Sequence, residues 1–182
     1  IGQSRPLGFT PDGAFYYGLS IGQSDVYTAT LKPDASGYLS PPTPAVESYM
    51  GSNTFPDWSP DGEYLSYVSR RGPAVRGAKS KILVIRSLRT GEERELQPEV
   101  NIFTRISVPR WSPDSRSLVT LAARKGRFDI YQIDAETGAH KMLVASPVRG
   151  GFPVWLPDGK SLILARGHEG ILSLIVRNIE TG

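Results

Sequence analysis

The chain has 182 residues, of which 39% are hydrophobic and 21% charged, the balance of an ordinary globular protein. It contains no cysteine, which excludes a disulfide framework and any thiolate metal site, and no apolar run long enough to cross a bilayer as a helix. The net charge of +3 is unevenly spread, at −3 over residues 1–60, +7 over 61–127 and −1 over 128–182, so the basic excess sits in the middle.

In chain order, one small frame recurs four times: Phe9-Thr-Pro-Asp-Gly13, Trp58-Ser-Pro-Asp-Gly62, Trp111-Ser-Pro-Asp-Ser115 and Trp155-Leu-Pro-Asp-Gly159. The prolines are 49, 53 and 44 residues apart. A period in this range marks a repeat architecture. Each frame closes a first strand that ends at its aromatic residue, with a proline just upstream (Pro6, Pro56, Pro109, Pro153), where no ladder donor is needed. Proline sets φ at the first central position of the turn, the Asp carboxylate bonds backbone two residues on, and glycine supplies a left-handed conformation. Ser115 replaces that glycine in the third frame, at a cost if its φ is positive.

Second strands are expected at Phe15–Ser20, Tyr64–Ser69, Leu118–Ala123 and Leu162–Arg166, and third strands at Asp25–Leu31, Ile82–Arg86, Asp129–Asp134 and Leu172–Asn178. These runs are rich in Val, Ile, Leu and Tyr, as half-buried strands are. Turns marked Ser36-Gly37, Thr90-Gly91, Thr137-Gly138 and Thr181-Gly182 follow. Fourth strands are expected at Glu93–Gln97 and His140–Val144, while Pro41, Pro42 and Pro44 blur the fourth strand of the first repeat. No amphipathic helix of useful length is visible.

A four-strand unit repeated at about 49 residues favours an all-β propeller of antiparallel blades over a sandwich or barrel. The blades fall at about 1–49, 50–98, 99–146 and 147–182, in a single array whose last blade lacks its outer strand. Four blades is the low end for a closed ring, and a missing strand leaves an unpaired edge. A segment of a larger propeller is therefore the expectation, with closure by self-association through unpaired blade edges as the alternative.

The frame Trp-Ser-Pro-Asp-Gly, followed by an apolar strand and then a strand ending near Thr-Gly-Glu, resembles the TolB-type propeller repeat. Residues 57–67 and 110–118 carry the resemblance best, and it extends over essentially the whole chain. It implies the fold strongly and the function weakly. Such repeats occur in periplasmic binding scaffolds, beside α/β-hydrolase domains in prolyl-oligopeptidase-like enzymes, and in bacterial kinases and regulators. The first repeat departs from the pattern, lacking the tryptophan and carrying a proline-rich end. The resemblance implies a periplasmic setting, while the lack of cysteine fits the cytosol equally. No leader peptide is recognisable, and Ile1 in place of Met is compatible with one already removed.

Catalytic readings do not fit. Gly18-Leu-Ser-Ile-Gly22 matches a nucleophile-elbow pattern, but Ser20 ends a strand and no helix follows, as an elbow requires. His140 and His168 have no triad context, and His168-Glu169 lacks the further ligands of a metal site. Asp61, Asp114 and Asp158, like Asp12, are accounted for by their turns. Trp58, Trp111 and Trp155 are expected in the core between blades. No enzyme activity and no cofactor is expected.

The remaining candidate is basic. The segment from Arg70 to Lys81 is long for a blade turn and carries Arg70, Arg71, Arg76, Lys79 and Lys81. The equivalent turns bring Arg124, Lys125, Arg127 and Arg166. Inter-blade segments add Arg105 and Arg149. In a propeller all of these emerge on one face, which suits a protein partner or ligand of negative charge. Nucleic acid is disfavoured because no aromatic residues interleave the basic ones.

Overall fold

The computed structural model describes residues 3–9, 15–20, 24–34, 36–71, 81–98, 100, 108–124, 127–145, 153–168 and 171–181. These hold fifteen strands and no helix. The chain divides into two compact units, one of residues 1–54 with 70–80, the other of residues 55–69 with 81–182.

In the first unit, β1 (Gln3–Phe9) and β2 (Phe15–Ser20) form a two-stranded antiparallel sheet with an irregularity between Pro6 and Gly8. A second small sheet pairs β3 (Tyr27–Thr28) with β4 (Thr43–Pro44). The third strand expected at Asp25–Leu31 is thus reduced to two residues and one bridge, Leu31 to Tyr38. The reason lies in its partner: of residues 41–44, three are prolines, which have no N–H for a ladder. The unit is held locally. Val26 and Val46 are buried, and the Asp25 carboxylate accepts from the Gly51 N–H and the Asn53 side-chain amide.

The second unit is regular. Strand β5 (Asn53–Trp58) reaches into it, and with β6 (Tyr64–Arg70), β7 (Lys81–Ser87) and β8 (Glu93–Leu96) gives a sheet in the order β5-β6-β7-β8. Next come β9 (Arg110–Trp111), β10 (Ser117–Arg124), β11 (Arg127–Asp134) and β12 (His140–Val144), again a four-stranded sheet in chain order. The last sheet holds β13 (Val154–Trp155), β14 (Ser161–His168) and β15 (Ile171–Asn178). The registers repeat from sheet to sheet. Ser117 pairs with Asp134 as Ser161 pairs with Asn178, and Trp111 pairs with Leu118 as Trp155 pairs with Leu162.

Two apolar clusters join the three sheets. Leu83, Ile85 and Leu96 meet Trp111, Leu118, Ala122, Tyr131 and Ile133. On the opposite face of the middle sheet, Val119, Leu121, Ile130 and Val144 meet Trp155, Leu162 and Leu164, with Ile175 and Ile179 beside them. The middle sheet is therefore buried on both faces. This is why β10 reads as a nearly continuous apolar run and not as an alternation.

Trp111 and Trp155 each pack toward the sheet before them. Trp111 is 6% exposed and Trp155 8%. Trp58 is 50% exposed, which corrects the expectation that all three lie in the core. It belongs to the first sheet of its unit, so no earlier sheet of that unit lies there to receive its ring.

Candidate functional site

At one end of the sheets lie the Pro-Asp turns, and their carboxylates are turned inward on the backbone. Asp114 accepts from the Ser112 hydroxyl at 2.6 Å and from the Arg116 N–H at 3.1 Å. The Ser112 hydroxyl oxygen in turn accepts from the Ser117 N–H, stitching both strands across the turn. Ser59 and Asp61 repeat this with Glu63 and Tyr64. In the fourth frame Leu156 stands where the serine was, and Asp158 alone accepts from the Lys160 and Ser161 N–H groups, both at 2.9 Å. The Asp12 turn lies outside the described residues.

These bonds hold the carboxyls below the usual Asp range. The Ser59 hydroxyl is the main cause for Asp61, the Ser112 hydroxyl for Asp114, and the Lys160 N–H for Asp158. Such groups stay ionised and committed to structure, which is the opposite of a general acid. Beside each of these turns runs a Thr-Gly turn. Asp134 accepts from Glu136 and Thr137, and Asn178 from Glu180 and Thr181. Backbone bonds lock the two turns of each sheet together, Leu88 to Glu63, Ala135 to Arg116 and Ile179 to Lys160.

A shallow groove of about 480 Å³ opens between these turns, lined by Tyr64, Arg94, Trp111, Ser115, Arg116 and Asp134 among others. Tyr64 and Trp111 stack along it with ring centroids 6.2 Å apart. The Arg94 guanidinium donates to the Ala135 carbonyl at 3.0 Å. Sequence reasoning missed this groove because its residues come from five separate stretches. Among the described residues no group of His, Asp and Glu is arranged to hold a metal ion.

Some of the basic candidates stand on strands at the ends away from the Pro-Asp turns. Arg70 closes β6 and is exposed, and Lys81 opens β7 half-buried. Arg71 is half-buried with its guanidinium 4.3 Å over the Tyr49 ring, a cation–π contact that already occupies it. Across the β10–β11 pair, Arg124 and Arg127 are direct register partners at the end away from the Pro-Asp turn. Arg166 sits in β14 opposite Ser173. The side chains of Arg124, Arg127 and Arg166 lie outside the described set, as do Arg76, Lys79, Arg105, Lys125 and Arg149 altogether.

The repeated frame, the sheet order and the paired turns find their counterpart in one family. The TolB beta propeller domain family matches residues 42–182. The chain belongs to it. The structure of a putative TolB from Agrobacterium tumefaciens superposes on this TolB-type propeller with a TM-score of 0.64 at 21% identity, over 96% of the chain and 61% of that one. TolB from Acinetobacter baumannii gives 0.59 at 21% identity, over 94% and 45%. An oligogalacturonate lyase in complex with manganese gives 0.61 at 16% identity, over 92% and 45%. These likenesses are of fold. Among curated proteins, dipeptidyl-peptidase 5 of Porphyromonas gingivalis is 27% identical over 122 residues, 67% of the chain and 16% of that protein. The TolB-type segment thus spans less than two thirds of each of these relatives.

Proposed function

We propose that this propeller segment is a non-catalytic platform for a protein partner or an anionic ligand. The contacts would come from the basic residues between the second and third strands. One observation carries the reading. The Pro-Asp end spends its carboxylates on its own backbone, while at the opposite end Arg70 is exposed and Arg124 and Arg127 are cross-strand register partners. Cations brought to one strand end suit an anion that can bridge them. Periplasmic residence goes with this reading, as the TolB resemblance implies.

The test is charge reversal of Arg70 and Arg76 together, leaving Arg71 on Tyr49. Binding of an acidic peptide is measured by titration calorimetry at low and high salt, with folding checked by circular dichroism. A salt-dependent affinity that drops about tenfold or more in the folded variant supports the platform. Unchanged binding refutes it.

The match to a dipeptidyl-peptidase over 16% of that protein favours a second reading. The segment would then be the accessory or gating propeller of a hydrolase, with the chemistry outside these residues. A Gly-x-Ser-x-Gly elbow with its Asp and His in the flanking reading frame would decide for it.

A further inference from the structure

Ser115 stands in the left-handed region, at φ +58°, where the sister turns carry Gly62 and Gly159. A side chain held there costs free energy, and residues so held gather at binding and catalytic sites. Ser115 lines the groove of about 480 Å³ at the Pro-Asp end of the first two sheets of the second unit. Its hydroxyl oxygen accepts from the Asp61 N–H, so its own proton is left to donate.

The rest of the groove is rich in donors. Arg94 gives one N–H to the Ala135 carbonyl and keeps the remainder of its fork. Arg116 is exposed, and its guanidinium has no hydrogen-bond partner among the described residues. The nearest acids are already engaged. Asp114 takes the Ser112 hydroxyl and the Arg116 N–H, and Asp134 takes the Glu136 and Thr137 N–H groups. Beneath these donors the floor is apolar, made by the half-buried Tyr64 ring with Ile85 and Trp111.

The next junction shows that this is no by-product of the repeat. At the corresponding places between the second and third sheets, Ser117 stands for Tyr64, Gln132 for Ile85 and Gly159 for Ser115. There the Gln132 amide donates to the Ser117 hydroxyl at 2.7 Å, so the floor is polar and satisfied. Lys141 and Lys160 replace the two arginines. An ammonium lacks the planar fork that matches a carboxylate.

We propose that this groove binds a carboxylate carried on an aromatic or other apolar body, as at the C-terminal end of a peptide. Arg94 and Arg116 take the carboxylate, the Ser115 hydroxyl donates a further bond, and the body lies on Tyr64 and Ile85. Glu136, exposed on the rim, repels a dianion more than a monoanion, which favours carboxylate over phosphate. The site shares no residue with the basic platform proposed above, so each can fail alone.

The test is an NMR titration of the 182-residue chain that follows the backbone and guanidinium resonances of Arg94 and Arg116. The probe is N-acetyl-L-phenylalanine. Its C-terminal amide controls for charge, and inorganic phosphate for a bare anion site. The expected result is saturable binding of the acid with a Kd of about 1 mM or below, and binding about tenfold weaker or worse for the amide and for phosphate. Phenylacetate distinguishes the sources. If it binds as tightly, any free aryl acid suffices, and if it does not, the ligand is a peptide end; both results keep the carboxylate site. Ser115→Gly, which relieves the backbone, should fold at least as stably yet bind the acid about tenfold more weakly, and Arg116→Gln should do the same to binding. No binding of either acid, equal binding of acid and amide, phosphate bound as tightly as the acid, or unchanged affinity in either variant overturns the proposal.

Discussion

Trp58, Trp111 and Trp155 stand at one place in the repeat and face different surroundings. Trp111 donates its indole N–H to the Asp57 carbonyl at 3.2 Å, and its backbone N–H goes to the Asp57 carboxylate at 2.9 Å. That carboxylate also takes the Arg110 guanidinium at 3.0 Å. One aspartate therefore ties the second sheet to the first through three bonds around a buried ring. Trp111→Ala should cost about 3–5 kcal/mol in urea unfolding, and Trp58→Ala less than about 1 kcal/mol. Asp57→Ala should cost about 1–3 kcal/mol, because it leaves the Trp111 N–H without its acceptor. The sequence already displayed Asp57 just ahead of Trp58. Nothing in a single chain shows that an aspartate reaches across 53 residues to an Arg-Trp pair.

Ser115 is a smaller case. Its φ is +58°, in the region that glycine occupies at Gly62 and Gly159. The serine keeps its place with one compensation, since its hydroxyl accepts from the Asp61 N–H at 3.1 Å. That bond is exposed, so the backbone strain should outweigh it. Ser115→Gly is expected to raise stability by about 0.5 kcal/mol, read from the same urea curves.

At the scale of the element, the turns carry a pH dependence. The carboxyls of Asp61, Asp114, Asp134 and Asp158 are all lowered in the folded state. A lowered folded value means stabilisation that is complete above the unfolded Asp value of about 3.9 and is lost as pH falls through the folded values. Stability should therefore hold down to about pH 4 and decline below it. Asp114→Asn should flatten that decline, because the neutral amide takes up no proton as pH falls. The measurement is unfolding free energy at a series of pH values. A decline setting in near neutrality would mean that other groups govern it.

The strands were legible in proportion to their regularity. Phe15–Ser20 and His140–Val144 match their expected limits, and the other long strands differ by a residue or two at their ends. In the first repeat the fourth strand was expected to be blurred by its prolines, and the third shrinks with it to two residues because those prolines remove the donors a ladder needs. The side-chain caps at Asp134 and Asn178 went unread. Their signal was present, as an Asp or Asn three residues before each Thr-Gly pair.

At the scale of the whole molecule, the second unit is a series of sheets in which each buries its neighbour. The middle sheet contributes to both clusters, Leu118 to one and Leu121 to the other. In such a series, stability is a sum of sheet and interface terms. Leu121→Ala should lower hydrogen-exchange protection in β10 and β14 while sparing β6, because Leu121 faces only the third sheet. Loss of protection spread evenly through all three sheets would show that they open as one.

The sequence by itself determined the class of fold and the place of most strands. Period, turn chemistry and apolar runs are local properties, and local properties can be read in a line. The tertiary structure decided which tryptophans are covered, because burial depends on what stands opposite, and Trp58 and Trp111 carry nearly identical surroundings in sequence. It decided also that Arg71 is engaged by Tyr49. Each of these depends on a partner far away in the chain, and the position of that partner is set only when the sheets pack.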